Sequence, residues 1–350
     1  MPVGQINVIL LFLMVFALVA LLLVCLWKIK FSGHFPQYAG LDQATAVKGF
    51  FAVIIFLSHF CSYLPAEATQ VPSTHMLLRV LTYLDQSMVA MFFFYSGFGI
   101  SVSLLTKPGY SESFFKKRFL KVLFDMDFAV LFFVLLNLTL GLSFPIKNYI
   151  LCWIGWKSIG NSNWFVFVIL MLYLASWVCM KIKKGKLGFI IMPFILLLWL
   201  FLFYWRRSSP WWYNTIIVFP LGIIYAEYKK HIDSFLQKWF VWIVSILLLI
   251  LTYIGLHYFF GGGITGIISC LFCLIIMLGT MKVQMVNPVL LRLGKNAFAI
   301  YMLQRIPMIL FSHFGLQENV PLFFIVSVIM TALLAEGFSY TVQFLHKKLF

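Results

Sequence analysis

The chain has 350 residues, of which 63% are hydrophobic, 19% aromatic and only 10% charged. Soluble domains carry about a quarter charged residues, so this composition excludes a soluble protein, and no polar stretch runs much beyond about 25 residues, too short for a usual separate soluble domain. The formal charge of +16 comes from 26 Lys and Arg against 10 Asp and Glu; these cations sit in short loops beside apolar runs, which points to membrane orientation and excludes nucleic-acid binding.

The first apolar run, 7–27, lacks a basic segment before it and is followed by Lys28 and Lys30, so it reads as a retained anchor rather than a cleaved leader. Further runs follow near 48–65, 88–105, 120–142, 164–180, 187–205, 212–227, 240–259, 263–281, 296–313 and 321–345. Most approach the roughly 20 residues that cross a bilayer as helix. The expected fold is all-α: a polytopic transmembrane bundle of about eleven spans, with a helical anchor over 1–30 and a ten-helix unit over 40–350. Residues 143–163, with Pro145, Lys147, Lys157 and Asn161, read as a loop with an interfacial Trp-rich segment. Cys270 and Cys273 form a C-x-x-C inside an apolar run with no partner ligand nearby, so they read as ordinary buried cysteines and no metal is expected.

Basic clusters follow the first, third, fifth, seventh, ninth and last runs: Lys28 and Lys30; Lys107 and Lys116–Arg118; Lys181, Lys183, Lys184 and Lys186; Lys229 and Lys230; Lys282, Arg292 and Lys295; Lys347 and Lys348. This alternation places the amino terminus outside and the carboxyl terminus in the cytoplasm. Arg206 and Arg207, on an outer loop, break the rule.

Ionisable and polar groups at bilayer depth are costly, so each is a functional candidate. In the second run His59 lies eleven positions after Lys48. That is close to three helical turns, so both face the same way about 16 Å apart, which puts His59 near the midplane if Lys48 is interfacial. A neutral imidazole there can act as a general base or accept an acyl group; an interhelical hydrogen bond is the plainer alternative. The third run contributes Ser96, beside Gly97, which also suits small-residue packing. The tenth contributes Tyr301 and Gln304 above Lys295 and Asn296, and the last contributes Glu336. At the inner level, Lys48, Lys116, Lys117, Arg118, Lys121 and Lys295 form a basic patch suited to anionic lipid or a polyphosphate. Asp125, four residues after Lys121, reads as its helical ion-pair partner. At the outer level, Asn161–Phe165 and Trp211–Asn214 mix amides with aromatics, as in an interfacial belt or a sugar platform.

Several of these segments together resemble acyltransferase family 3, integral-membrane bacterial enzymes that acetylate surface polysaccharides and related acceptors. Lys48 to His59 is similar to the helix in which Arg or Lys precedes a His by eleven positions. FFFYSGFGI (92–100) looks like the Phe-Phe-x-x-Ser-Gly-Phe block, and KKRFLK (116–121) like the basic run after it. NWF (163–165) is similar to the Trp-Phe element opening a later helix, and GKNAFAIYMLQ (294–304) resembles the Gly-Lys-Asn-x-x-x-x-Tyr segment. The resemblance runs in order from Lys48 to Gln304. Two departures stand out: many relatives carry His where this chain has Gln304, and the Ser-Val-Glu of some subfamilies is absent.

The resemblance implies an O-acetyltransferase of the bacterial cytoplasmic membrane. Acetyl-CoA would be a co-substrate rather than a permanently bound cofactor, and would dock on Lys48, Lys116, Lys117, Arg118, Lys295 and Asn296. His59 would be base or acyl acceptor, with Lys48, Ser96 and Tyr301 completing the catalytic set. Asn163, Trp164, Gln304 and Glu336 would meet the acceptor, a polysaccharide or lipid-linked glycan, and membrane lipids would surround the whole. The alternative class is a secondary transporter or flippase, for which a midplane polar cluster is also typical; it would usually show paired repeats and broken helices, and neither is evident in the sequence.

Overall fold

The computed structural model describes residues 3–65, 72–182, 186–206 and 208–350. Lys183, Lys184 and Arg207 lie outside the described residues. Every apolar run is helical, as expected. The helices are α1 (Val3–Leu26), α2 (Leu41–Cys61), α3 (Pro72–Thr106), α4 (Tyr110–Phe114), α5 (Lys121–Leu140), α6 (Ile146–Leu151) and α7 (Trp164–Ile182). They continue as α8 (Met192–Trp205), α9 (Val218–Phe235), α10 (Trp239–Phe260), α11 (Thr265–Lys282), α12 (Pro288–Lys295), α13 (Ala297–Leu303), α14 (Arg305–His313) and α15 (Val320–Leu349). Among them α2, α3, α7, α10, α11 and α15 are long and apolar enough to cross a membrane, by length and composition. The fourth and seventh runs carry charges within their helices: Lys121, Asp125 and Asp127 in α5, and Glu227, Lys229, Lys230 and Asp233 in α9.

Two departures from uniform helix bear on the site. Lys116–Lys117–Arg118 lies in a single turn wound as π-helix, Phe115–Leu120, between α4 and α5; such turns shift side-chain register and recur at functional sites. The tenth run, read in sequence as one span over 296–313, is divided into α13 and α14 at Gln304, and Asn296 separates it from the short α12 that precedes it. Those two polar side chains turn inward at the breaks, and both are buried.

Close approach of helices depends on glycine at two crossings. A Cβ on Gly294 would run into the Thr45 carbonyl oxygen, and one on Gly49 into that of Leu290, so α2 and α12 touch through their backbones. Gly97 and Gly222 do the same for α3 and α9, against the carbonyls of Phe219 and Phe94. The packing role for Ser96–Gly97 therefore belongs to Gly97, and it leaves the Ser96 hydroxyl free for another use. Gly294→Val should lower the thermal midpoint of detergent-solubilised protein. Overpacking costs about 1–3 kcal/mol when side chains can yield, and here the obstacle is main chain. Gly337→Ala, which points into open space, should leave the midpoint in place; equal midpoints for both variants would refute the close-approach argument.

The segment between α1 and α2 is held from several sides. Lys30–Phe31 (β1) pairs antiparallel with Val283–Gln284 (β2), Lys30 opposite Gln284. Asn287 Nδ2 donates to the Val24 carbonyl at 2.8 Å. The buried Lys282 ammonium donates to the carbonyls of Gly33 and Gln237 and lies 4.6 Å from the Trp239 ring centroid. Tyr38 donates its hydroxyl proton to Asp233 at 2.8 Å, accepts from the Tyr225 hydroxyl at 2.8 Å, and lies under the Lys229 ammonium. Burial first, then the Tyr225 hydroxyl and the Asp233 carboxylate, raise the Tyr38 phenol far above its ordinary range, so it remains a donor at any physiological pH. Arg206, which charge alternation leaves unexplained, sits over the Trp156 ring at 5.9 Å.

Candidate functional site

A cavity of about 650 Å³ lies among α2, α3, α7 and the broken helix α12–α13, reaching also the π-turn and α5. Its lining can be followed turn by turn. On α2 it passes Leu41, Ala44, Lys48, Ala52 and Ile55; on α3, from Thr106 through Gly99 and Ser96 to Val89; on α7, from Tyr173 through Ile169 to Phe165. On the broken helix it passes Lys295 and Phe298 and stops at Tyr301. From Leu41 to Ile55 the α2 wall alone rises about 21 Å, at 1.5 Å per residue.

One end of this cavity is cationic. Lys48, Lys107, Arg118 and Lys295 all line it. The π-turn divides the basic run: Arg118 faces the cavity and donates from Nε to the Tyr110 hydroxyl at 3.1 Å, whereas Lys116 and Lys117 are exposed. The other end is apolar and aromatic. Between them Ser96 Oγ accepts a hydrogen bond from the Tyr173 hydroxyl at 3.3 Å.

His59 stands one turn beyond Ile55, outside the lining, with its ring centroid 6.1 Å from that of Tyr301. Gln304 stands one turn beyond Tyr301, and its Nε2 donates to His59 Nδ1 at 2.8 Å and to the Tyr301 carbonyl at 3.3 Å. Gln304 itself keeps helical backbone angles and bonds the Ile300 carbonyl at 3.0 Å; the interruption comes from Pro307, which has no N–H for the Leu303 carbonyl. Around this pair lie two buried polar atoms without a protein partner, Gln304 Oε1 and Arg305 Nε, and the hydroxyls of Tyr301 and Ser162, which interact with each other. Unsatisfied buried groups are rare in a folded protein and mark places where another molecule belongs. Arg305, whose charge acts on His59, Tyr63 and Tyr301, was not singled out in the sequence; a cation inside the tenth apolar run was the signal available.

The remaining candidates fall elsewhere. Glu336 is not brought to the level of His59: it accepts from Arg292 Nε at 2.6 Å and from Asn296 Nδ2 at 2.7 Å, toward the cationic end. Asn163 donates to the Gly155 carbonyl at 2.8 Å and so holds the loop before α7. Trp164 stacks edge-on to Phe165. Asp125 lines the cavity, and its partner is His346 on α15, at 2.5 Å, not the Lys121 that helical spacing suggests. No group of three or more His, Cys, Asp or Glu able to hold a metal is found among the described residues.

Residues 38–335 match the family model described as an acyltransferase domain. No curated protein and no solved structure matches the chain.

Proposed function

The chain belongs to acyltransferase family 3 and is a multi-pass membrane acyltransferase, and from that premise we propose that it moves an acetyl group from acetyl-CoA to a sugar hydroxyl of a cell-surface or lipid-linked polysaccharide. The observation that carries this reading is the cavity itself: cationic at one end, some 20 Å deep along α2, and ending one turn short of His59. A nucleotide's phosphates suit Lys48, Arg118 and Lys295, and the wall beyond them, about 10 Å from Lys48 to Ile55, suits the thiol end of the arm.

The thioester is already activated, so the residues must mainly position it and move one proton. As the acceptor oxygen attacks the thioester carbon, His59 takes the hydroxyl proton. The new C–O bond forms, the C–S bond breaks, and the proton passes to the departing thiolate. Gln304 can serve both ring forms. As it stands, its amide donates to Nδ1 and the ring proton is on Nε2; a half-turn brings the unpartnered Oε1 to accept from Nδ1–H and frees Nε2 as the base. Ser96 and Tyr301 shape the donor side, and the unpartnered polar atoms beyond His59 lie where an acceptor would bind.

In this reading the eleven apolar runs cross a bacterial cytoplasmic membrane with the cationic end of the cavity toward the cytoplasm, and the carboxyl terminus cytoplasmic. A phosphatase fused after Phe350 should be inactive and a tag before Met1 externally accessible; the reverse pattern would invert the donor side. The transporter alternative gains the interrupted helices α12–α14, but a cavity whose lining ends one turn from a histidine fits transfer chemistry better than passage. Mass spectrometry of surface glycans with and without the gene tests the function: loss of the acetyl mass increment, net C2H2O per transfer, is expected on deletion. An unchanged acetylation pattern would refute it.

A further inference from the structure

We infer that Phe165, braced by Tyr301, fixes the length of the acyl group, admitting acetyl and turning away longer chains. This rests on the donor reading above. The lining residues of four separate helices all end at one level: Ile55 on α2, Val89 and Phe92 on α3, Phe165 on α7 and Tyr301 on the broken helix. His59 and Gln304, one turn further, line no part of the cavity. An acyl group carried up the tunnel therefore ends beside these rings, which bound one side of the space a single helical turn below His59.

These rings are held rigidly. The Phe165 ring stands edge-to-face with Tyr301 at 5.3 Å and with Phe92 at 5.9 Å, and lies 4.9 Å from the ring of Phe93, which is wholly buried. Phe165 is itself 8% exposed. Rings in such contact cannot swing aside without disturbing neighbours packed at native density. Tyr301 also carries the backbone on which Gln304, and hence His59, is held, so the ring beside it can be altered with less consequence for the proton path. Ordinary core packing is the rival account of Phe165, and it makes no forecast about donor length.

The experiment compares donors in the full-length protein in nanodiscs. The ratio of kcat/KM for butyryl-CoA to that for acetyl-CoA should be low for the natural protein and should rise by about 10-fold or more in Phe165→Ala, since one or two methylenes in an apolar pocket discriminate by about 10- to 200-fold. Phe165→Leu, which keeps more of the packing, should raise the ratio by a smaller amount and serves if the alanine variant fails to accumulate. A ratio unchanged in a variant that still transfers acetyl overturns the inference and leaves the function standing. Absence of any acetyl transfer from acetyl-CoA by the natural protein would instead overturn the donor reading on which the inference rests.

Discussion

His59→Gln should lower acetyl transfer by about 100-fold or more, the usual loss when a general base is removed, while the protein still inserts and accumulates. The substitution is chosen for what it preserves. A glutamine carbonyl at position 59 can accept from the Gln304 amide much as Nδ1 does at 2.8 Å, so the hydrogen bond between α2 and the broken helix has a substitute. What glutamine cannot do is take a proton at neutral pH. Membrane hydrogen bonds average about 0.6 kcal/mol, so a purely structural His59 would leave a variant with nearly full activity. Transfer at more than about a tenth of the natural rate, measured with radiolabelled acetyl-CoA on purified protein, would end the catalytic assignment.

Arg118→Gln should raise the KM for acetyl-CoA by about 10- to 100-fold with a much smaller change in kcat. Hydrogen bonds to charged groups contribute about 1.5–3 kcal/mol, and each 1.4 kcal/mol is about tenfold. Uniform binding lost from donor and transition state alike appears in KM. Lys116 and Lys117 make the contrast. They are neighbours of Arg118 in sequence, but they are exposed and do not line the cavity, so the Lys116→Gln, Lys117→Gln pair should change KM by only a few-fold, through screened long-range attraction. If the double variant matched Arg118→Gln, the π-turn would not be sorting these residues, and the basic run would be better explained by membrane orientation.

The helical elements were legible because apolar length is a direct physical requirement of the bilayer. What eluded the sequence was contact between distant segments and local breaks in regularity. Residues 296–313 read as one apolar run although Pro307 within them is a breaking signal; the partners of Asn296 and Gln304, Glu336 and His59, lie 40 and 245 positions away. Asp125 was assigned to Lys121 by the i, i+4 rule, yet it meets His346 across 221 positions. The π-turn that separates Arg118 from its lysine neighbours has no composition signature. Phe165 was quoted only within a motif, and its place at the end of the cavity depends on four helices ending together.

The two-residue ladder between β1 and β2 carries a consequence in time. Lys30 leaves the ribosome 254 residues ahead of Gln284, its partner in register. At about 5–20 residues per second of synthesis, that gap is roughly 13–50 s. Throughout it α1 is already made, but β1 has no strand to pair with, Asn287 has not yet been made to hold the Val24 carbonyl, and Lys282 has not yet been made to hold Gly33. The loop from Ser32 to Gly40, which leads to the cavity wall at Ala39–Leu41, is therefore among the last parts to lock.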